Sequence, residues 1–216
     1  MPVFGRMMGC RNRRHSSGQS LVEFSLILLP FVILVVAILE FGFLFASYNS
    51  VSFASHDGAQ LAAQYGNTVG ADCAIVQQVE QDVSAPANKT QIQTIDIYWV
   101  DMAFSDGRAK SGYENLWTRG GLTHCVGPDG SKFDVPYTSP LGYPNNVSGY
   151  PEVTRCNLNG ALGCANPPHT GVDTVGVKIT YKYKWISPFP GLVFGNGSAA
   201  GPTLVGTTIM RLEPVK

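Results

Sequence analysis

Three hydrophobic patterns follow one another along the chain. From Phe24 to Ala46 the sequence FSLILLPFVILVVAILEFGFLFA is apolar all round, interrupted only by Ser25, Pro30, Glu40 and Gly42. As an α-helix this stretch spans roughly 34 Å, against a bilayer hydrocarbon core of about 30 Å. The second pattern has helical spacing. Val51, Ala54, Gly58, Leu61, Ala62 and Tyr65 recur at steps of three and four and form a narrow stripe of mostly small residues. Together the two predict one helix from about Ser20 to Tyr65, ended by Gly66 and Asn67, with Pro30 loosening it locally. A shorter helix is expected next, capped by Asp72, with Ile75, Val79 and Val83 on one face and Pro86 after it. The third pattern has period two. Ile95, Ile97 and Trp99 share a face, and Val175, Val177, Ile179, Tyr181, Tyr183 and Trp185 share another. Thr174, Lys178, Thr180, Lys182 and Lys184 point the opposite way, which predicts a half-buried strand with a lysine-rich outer face. Thr203 to Glu213 reads as a last strand, joined to the previous one by the Gly/Pro-rich SPFPGLVFGNGSAAGP. Residues 105–170 are dominated by Gly, Pro, Asn and Ser and show no long element. Loops of that length in a compact domain are functional or stapled.

Charge adds a direction. The chain has 216 residues and zero formal net charge, which gives nucleic-acid binding no electrostatic support. Arg6, Arg11, Arg13 and Arg14 all precede the apolar run and no acid accompanies them. The positive-inside rule then keeps the short N-terminus in the cytoplasm and exports the bulk of the chain. A removed secretory signal would have an apolar region of only about 7–15 residues followed by an A-x-A-like site. No such site follows here, so the segment reads as a retained membrane anchor. Four of the five cysteines, Cys73, Cys125, Cys156 and Cys164, lie beyond it, and Cys10 lies before it. An even number on the exported side fits two disulfides in an oxidising compartment. Of the three possible pairings we favour Cys156–Cys164, closing a short loop, with Cys73–Cys125 tying the second helix to the 105–170 region.

Glu23 lies just inside the membrane boundary, where insertion of an acid costs about 2.5–3.5 kcal/mol. It needs a use. Cleavage after Gly18 would make Gln19 the new N-terminus and Glu23 the fifth residue. A small residue at the cut admits a protease, and the freed α-amino group is a possible counter-ion for Glu23, best supplied by an axially offset neighbour.

A basic leader ending in Gly, with Glu five residues on, resembles the type IV prepilin signal. GQSLVEFSLILLP, then EFG at Glu40–Gly42, then HDGAQLAAQYG at His56–Gly66, resembles more narrowly the TadE-like pseudopilins of Tad pilus assembly. VGVKITYKYKW and TTIMRLEP are loosely similar to that family's C-terminal pattern. The resemblance implies a minor pilin-like subunit cut by a prepilin peptidase, with processing residues Gly18, Gln19, Glu23 and Phe24. Its partners would be the bacterial inner membrane, other pilin-like subunits and the Tad secretion machinery, and its role would be to support adherence. The implied division is a leader over 1–18, a transmembrane helix over 19–46 and a periplasmic pilin-like domain over 47–216. The expected fold class is α+β: a long, half-transmembrane N-terminal helix, a small antiparallel sheet and a loop-rich, disulfide-stapled insertion.

Other residues offer weaker chemistry. Glu40 is either a packing contact or a carboxylate among the outer headgroups. His124 beside Cys125, with His169 five residues after Cys164, lacks the paired C-x-x-C spacing of a zinc site, and an exported thiol tends to oxidise. PDGSKFD at Pro128–Asp134 has too few regularly spaced oxygens for calcium and reads as a turn. Trp99, Tyr181, Tyr183 and Trp185 read as packed sheet face. No cofactor or metal is expected. The readings from other classes are an unprocessed bitopic binding protein and a membrane-tethered hydrolase; the latter lacks a recognisable nucleophile and base.

Overall fold

A computed structural model describes residues 17–141, 143, 149–157, 164–165, 168–169, 171–187 and 200–213. Residues 1–16 of the leader, Cys10 among them, lie outside this set, as do the side chains of Cys164 and His169. Contacts divide the chain into two units, 1–39 and 40–216. The first contains the beginning of helix α1, Ser17–Tyr65, which continues without a break through Pro30. Its apolar side chains up to Leu39 are exposed almost throughout, as expected of a helix whose natural surroundings are lipid.

The second unit is α+β. From Glu40 onward α1 is amphipathic: Val51, Ala54 and Ala62 are buried on one side, while Phe45 and Phe53 stay exposed on the other. Helix α2, Ala71–Asp82, follows. The strands are β1 (Ile92–Val100), β2 (Ala109–Val126), β3 (Lys132–Thr138), the short β4 (Cys164–Ala165) and β5 (Pro168–His169), β6 (Thr174–Lys184) and β7 (Ala200–Arg211). Five of them form one antiparallel sheet in the order β3-β2-β1-β6-β7, and β4 pairs with β5 separately. The alternation read in β6 holds: Val175, Val177, Ile179, Tyr181 and Tyr183 are buried, and Lys178, Lys182 and Lys184 are exposed. Trp185 lies just past the strand and is half-buried.

The helices cover one face of the sheet. Small residues let them approach closely. A Cβ on Gly206 of β7 would lie 2.8 Å from the carbonyl oxygen of Val51. One on Gly58 would lie 2.9 Å from a methyl of Val79 in α2 and 3.3 Å from one of Val177 in β6. Polar ties add to the packing of α1: Ser55 Oγ meets Thr208 Oγ1 at 3.0 Å, and the Glu213 N–H donates to Ala63 O at 3.0 Å. α2 covers the β2–β3 side, where Glu80 pairs with Arg119 and accepts from Tyr137 OH at 2.6 Å.

Two expectations are corrected. Residues 105–170 contain a long element after all, because β2 has 18 residues and turns into β3 as a hairpin. The alternation is hidden there because β2's inward positions include Asn115 as well as Trp117 and Cys125, and because the register shifts between Arg119 and Thr123 around Gly120 and Gly121. The second correction concerns Asp72, which does not cap α2. Gly70 holds the cap position with φ 89°, and Asp72 lies inside the first turn. The orphan N–H groups of Gly70 and Asp72 both donate to the Glu152 carboxylate, at 2.7 Å each. Asp72 is thereby free to serve a different partner, Arg155.

Candidate functional site

The residues expected from sequence to direct processing lie at the start of the described helix. Ser17 is the first helical residue, and Gly18, Gln19, Glu23 and Phe24 occupy its first turns, all exposed. A Cβ on Gly18 would meet no described atom within 4 Å. The Gln19 side-chain amide donates to Glu23 Oε1 at 3.0 Å, four residues on, and Ser25 Oγ donates to Leu21 O at 2.8 Å. Glu23 Oε2 receives no hydrogen bond from the described residues. One carboxylate oxygen is therefore held along the helix while the other stays open to a partner outside it.

Glu40 is a packing residue. It is 5 % exposed, and its carboxylate accepts backbone N–H bonds from Ile186, at 3.3 Å, and from Ser187. The chain just past β6 is thus tied to α1 at the EFG motif. Sequence reading flagged Glu40 as an acid in an apolar run but had no signal for its partners, which are backbone groups 146 and 147 residues away.

The cysteines bear on compartment. Cys73 and Cys125 form a disulfide, the pairing favoured from sequence, which joins the start of α2 to the end of β2. Cys156 is disulfide-bonded as well. With its sulfur in that bond, Cys125 offers no thiol to the neighbouring His124, whose Nδ1 lies 2.6 Å from Asp134 Oδ1 at the surface. Asp129 is occupied by Ser131, whose N–H and hydroxyl donate to it at 3.0 and 2.6 Å; these bonds hold its carboxyl below the ordinary range. No group of three or more potential metal ligands occurs among the described residues.

A cluster the sequence did not reveal lies under the 149–157 segment. Arg155, fully buried, pairs with Asp72 and sits over the Tyr150 ring at 4.8 Å. Asn115 donates to Asp72 Oδ2 and to Tyr150 O, both at 2.7 Å, and accepts from Tyr150 N at 2.8 Å. Tyr150 OH donates to Asp173 at 2.7 Å, and Asp173 also accepts from Cys156 N at 2.8 Å. Burial first, and then the charge of Asp72, push the Glu152 carboxyl up to about 7, against the two N–H bonds that favour its ionised form. Perturbed groups of this kind mark active sites when they line a cleft. Here they are buried and bonded to one another and to backbone, so the arrangement reads as a clasp that fixes α2, β2 and the 149–157 segment together.

One N-terminal helix is long and apolar enough to cross a membrane, and the same helix continues into a disulfide-bonded α+β unit. Residues 18–60 match the family model described as TadE-like protein, the segment that carries the motifs quoted for that resemblance. The match begins at Gly18 and includes Glu23 and the EFG motif; it does not extend to the loosely similar stretch at 172–214. No curated protein and no solved structure matches the chain.

Proposed function

We propose that the chain is a minor pilin-like subunit of a Tad-type pilus assembly and secretion apparatus. A prepilin peptidase processes it after Gly18, and it acts in surface adherence. It sits in the bacterial inner membrane with its N-terminus cytoplasmic and the domain from residue 47 in the periplasm. The observation that carries this reading is the TadE-like match beginning at Gly18, at an exposed helix start with Glu23 one turn further on. Its role is structural, and its partners are other pilin-like subunits and the secretion machinery. The second disulfide is Cys156–Cys164.

Mature mass and N-terminal sequencing test the proposal. Protein from its native membrane should begin at Gln19. Gly18→Val should keep the leader attached, with cleavage reduced at least tenfold. Because a side chain at residue 18 meets nothing in the described chain, that loss would report on the peptidase and not on folding. Native protein that retains residues 1–18 while the machinery is active would favour the unprocessed bitopic alternative.

Glu23→Gln separates insertion from assembly. It keeps the shape, removes the charge and lowers the cost of membrane insertion. The variant should be inserted and cleaved normally, yet co-purify with the pilus machinery several-fold less than wild type. Normal incorporation would exclude pairing of Glu23 with a neighbour's amine.

A further inference from the structure

Resting on the reading of α1 as a membrane span, we propose that the segment just past β6, Trp185–Ser187, is a second membrane contact that enters the outer leaflet beside the helix. Glu40 lies six residues before Ala46, where the apolar run ends. At about 1.5 Å per residue its carboxylate is some 9 Å inside the outer end of that run. Ile186 and Ser187 donate their N–H groups to this carboxylate, so they share its depth.

The side chains there suit lipid. Ile186 is 64 % exposed, and Trp185 stands edge-on to Tyr183 with ring centroids 5.4 Å apart. Phe41, Phe45 and Tyr48 are exposed on α1 at neighbouring levels, an aromatic band of the kind found at membrane interfaces. Lys184 precedes Trp185 and is exposed, placed for headgroup phosphates. No charged residue occurs between Lys184 and Arg211 in the sequence.

The same geometry gives Glu40 a purpose. Non-helical backbone at membrane depth is tolerated only where its polar groups are satisfied. One carboxylate satisfies two N–H groups that water cannot reach. In turn, the two N–H groups offset the cost of an acid in an apolar helix.

The test uses full-length protein in vesicles whose acyl chains carry bromine, which quenches nearby tryptophan. Three variants are compared with wild type, each checked by mass for its disulfides. Phe31→Trp reports on the span, Ile186→Trp on the proposal, and Val153→Trp on an exposed position beside the α2 start. The expected result is strong quenching at 31, at least half as much at 186, and none beyond wild type at 153. Quenching at 31 with residue 186 behaving like 153 would overturn the proposal and leave the span intact. Absence of quenching at 31 would overturn the span and the proposal with it.

Discussion

Arg155→Met is expected to destabilise the domain from Glu40 onward by about 3–5 kcal/mol, because it strands Asp72 as a buried charge without its cation. That is a large fraction of the roughly 5–15 kcal/mol available to an ordinary domain. At the roughly 2–4 °C per kcal/mol usual for this size, the midpoint of thermal unfolding should fall by about 10 °C, measured by near-UV circular dichroism on the full chain in detergent. The deficit should depend on pH. Arg155 holds the Glu152 carboxyl down, so without it that already raised folded-state pKa rises further above its unfolded value, and the folded variant binds more protons than the unfolded one. Its stability then falls as pH rises, and the gap to wild type should be smaller at pH 5 than at pH 8. Adding Asp72→Asn should recover part of the loss, since a neutral amide is far less costly to bury than an unpaired carboxylate. A change below about 1 kcal/mol would show that the pair contributes little to the fold.

Replacing Cys73 and Cys125 together with serine should cost about 4 kcal/mol on the chain-entropy account of a crosslink closing a loop of this size. The bond's sequence separation is 52 residues, and it holds the first turn of α2 to the last residues of β2, next to the Arg155 clasp. The loss should appear as a lower denaturant midpoint for the double variant, and reduction of the wild-type protein, which also opens the bond at Cys156, should lower the midpoint at least as far. Equal midpoints with and without reductant would exclude a stabilising role for this bond.

What could be read beforehand depended on whether a residue's neighbours in space were also its neighbours in sequence. β6 was readable because its two faces differ in character residue by residue, apolar toward the helices and lysine-rich outward. The outer part of α1 was readable because its small residues repeat at helical spacing, and close approach to Gly206 and Val177 is why they are small. β2 was not, because a buried asparagine and a register shift break its alternation. The clasp gave no local sign at all. Asp72 looks like an ordinary cap, while Glu152 and Arg155 look like surface charges in a loop. Only the fold brings Arg155 to Asp72, 83 residues away, and Glu152 to the N-terminus of α2. The proposed processing residues form a contiguous motif, so their spacing is legible without a fold. Glu40 falls between these cases: its oddity in an apolar run was visible and its partners were not.

The way α1 lies along β7 has a mechanical consequence. Val51 sits against Gly206, Ser55 meets Thr208 and Ala63 accepts from Glu213, so both segments advance in the same direction. Tension pulling on the helix from its membrane end is therefore shared among these points as shear, instead of peeling them apart one at a time. β7 passes that load into β6 through a ladder running from Thr174–Arg211 to Lys184–Ala200. Under such a load the helix would have to slip past several contacts at once, a stronger geometry than peeling.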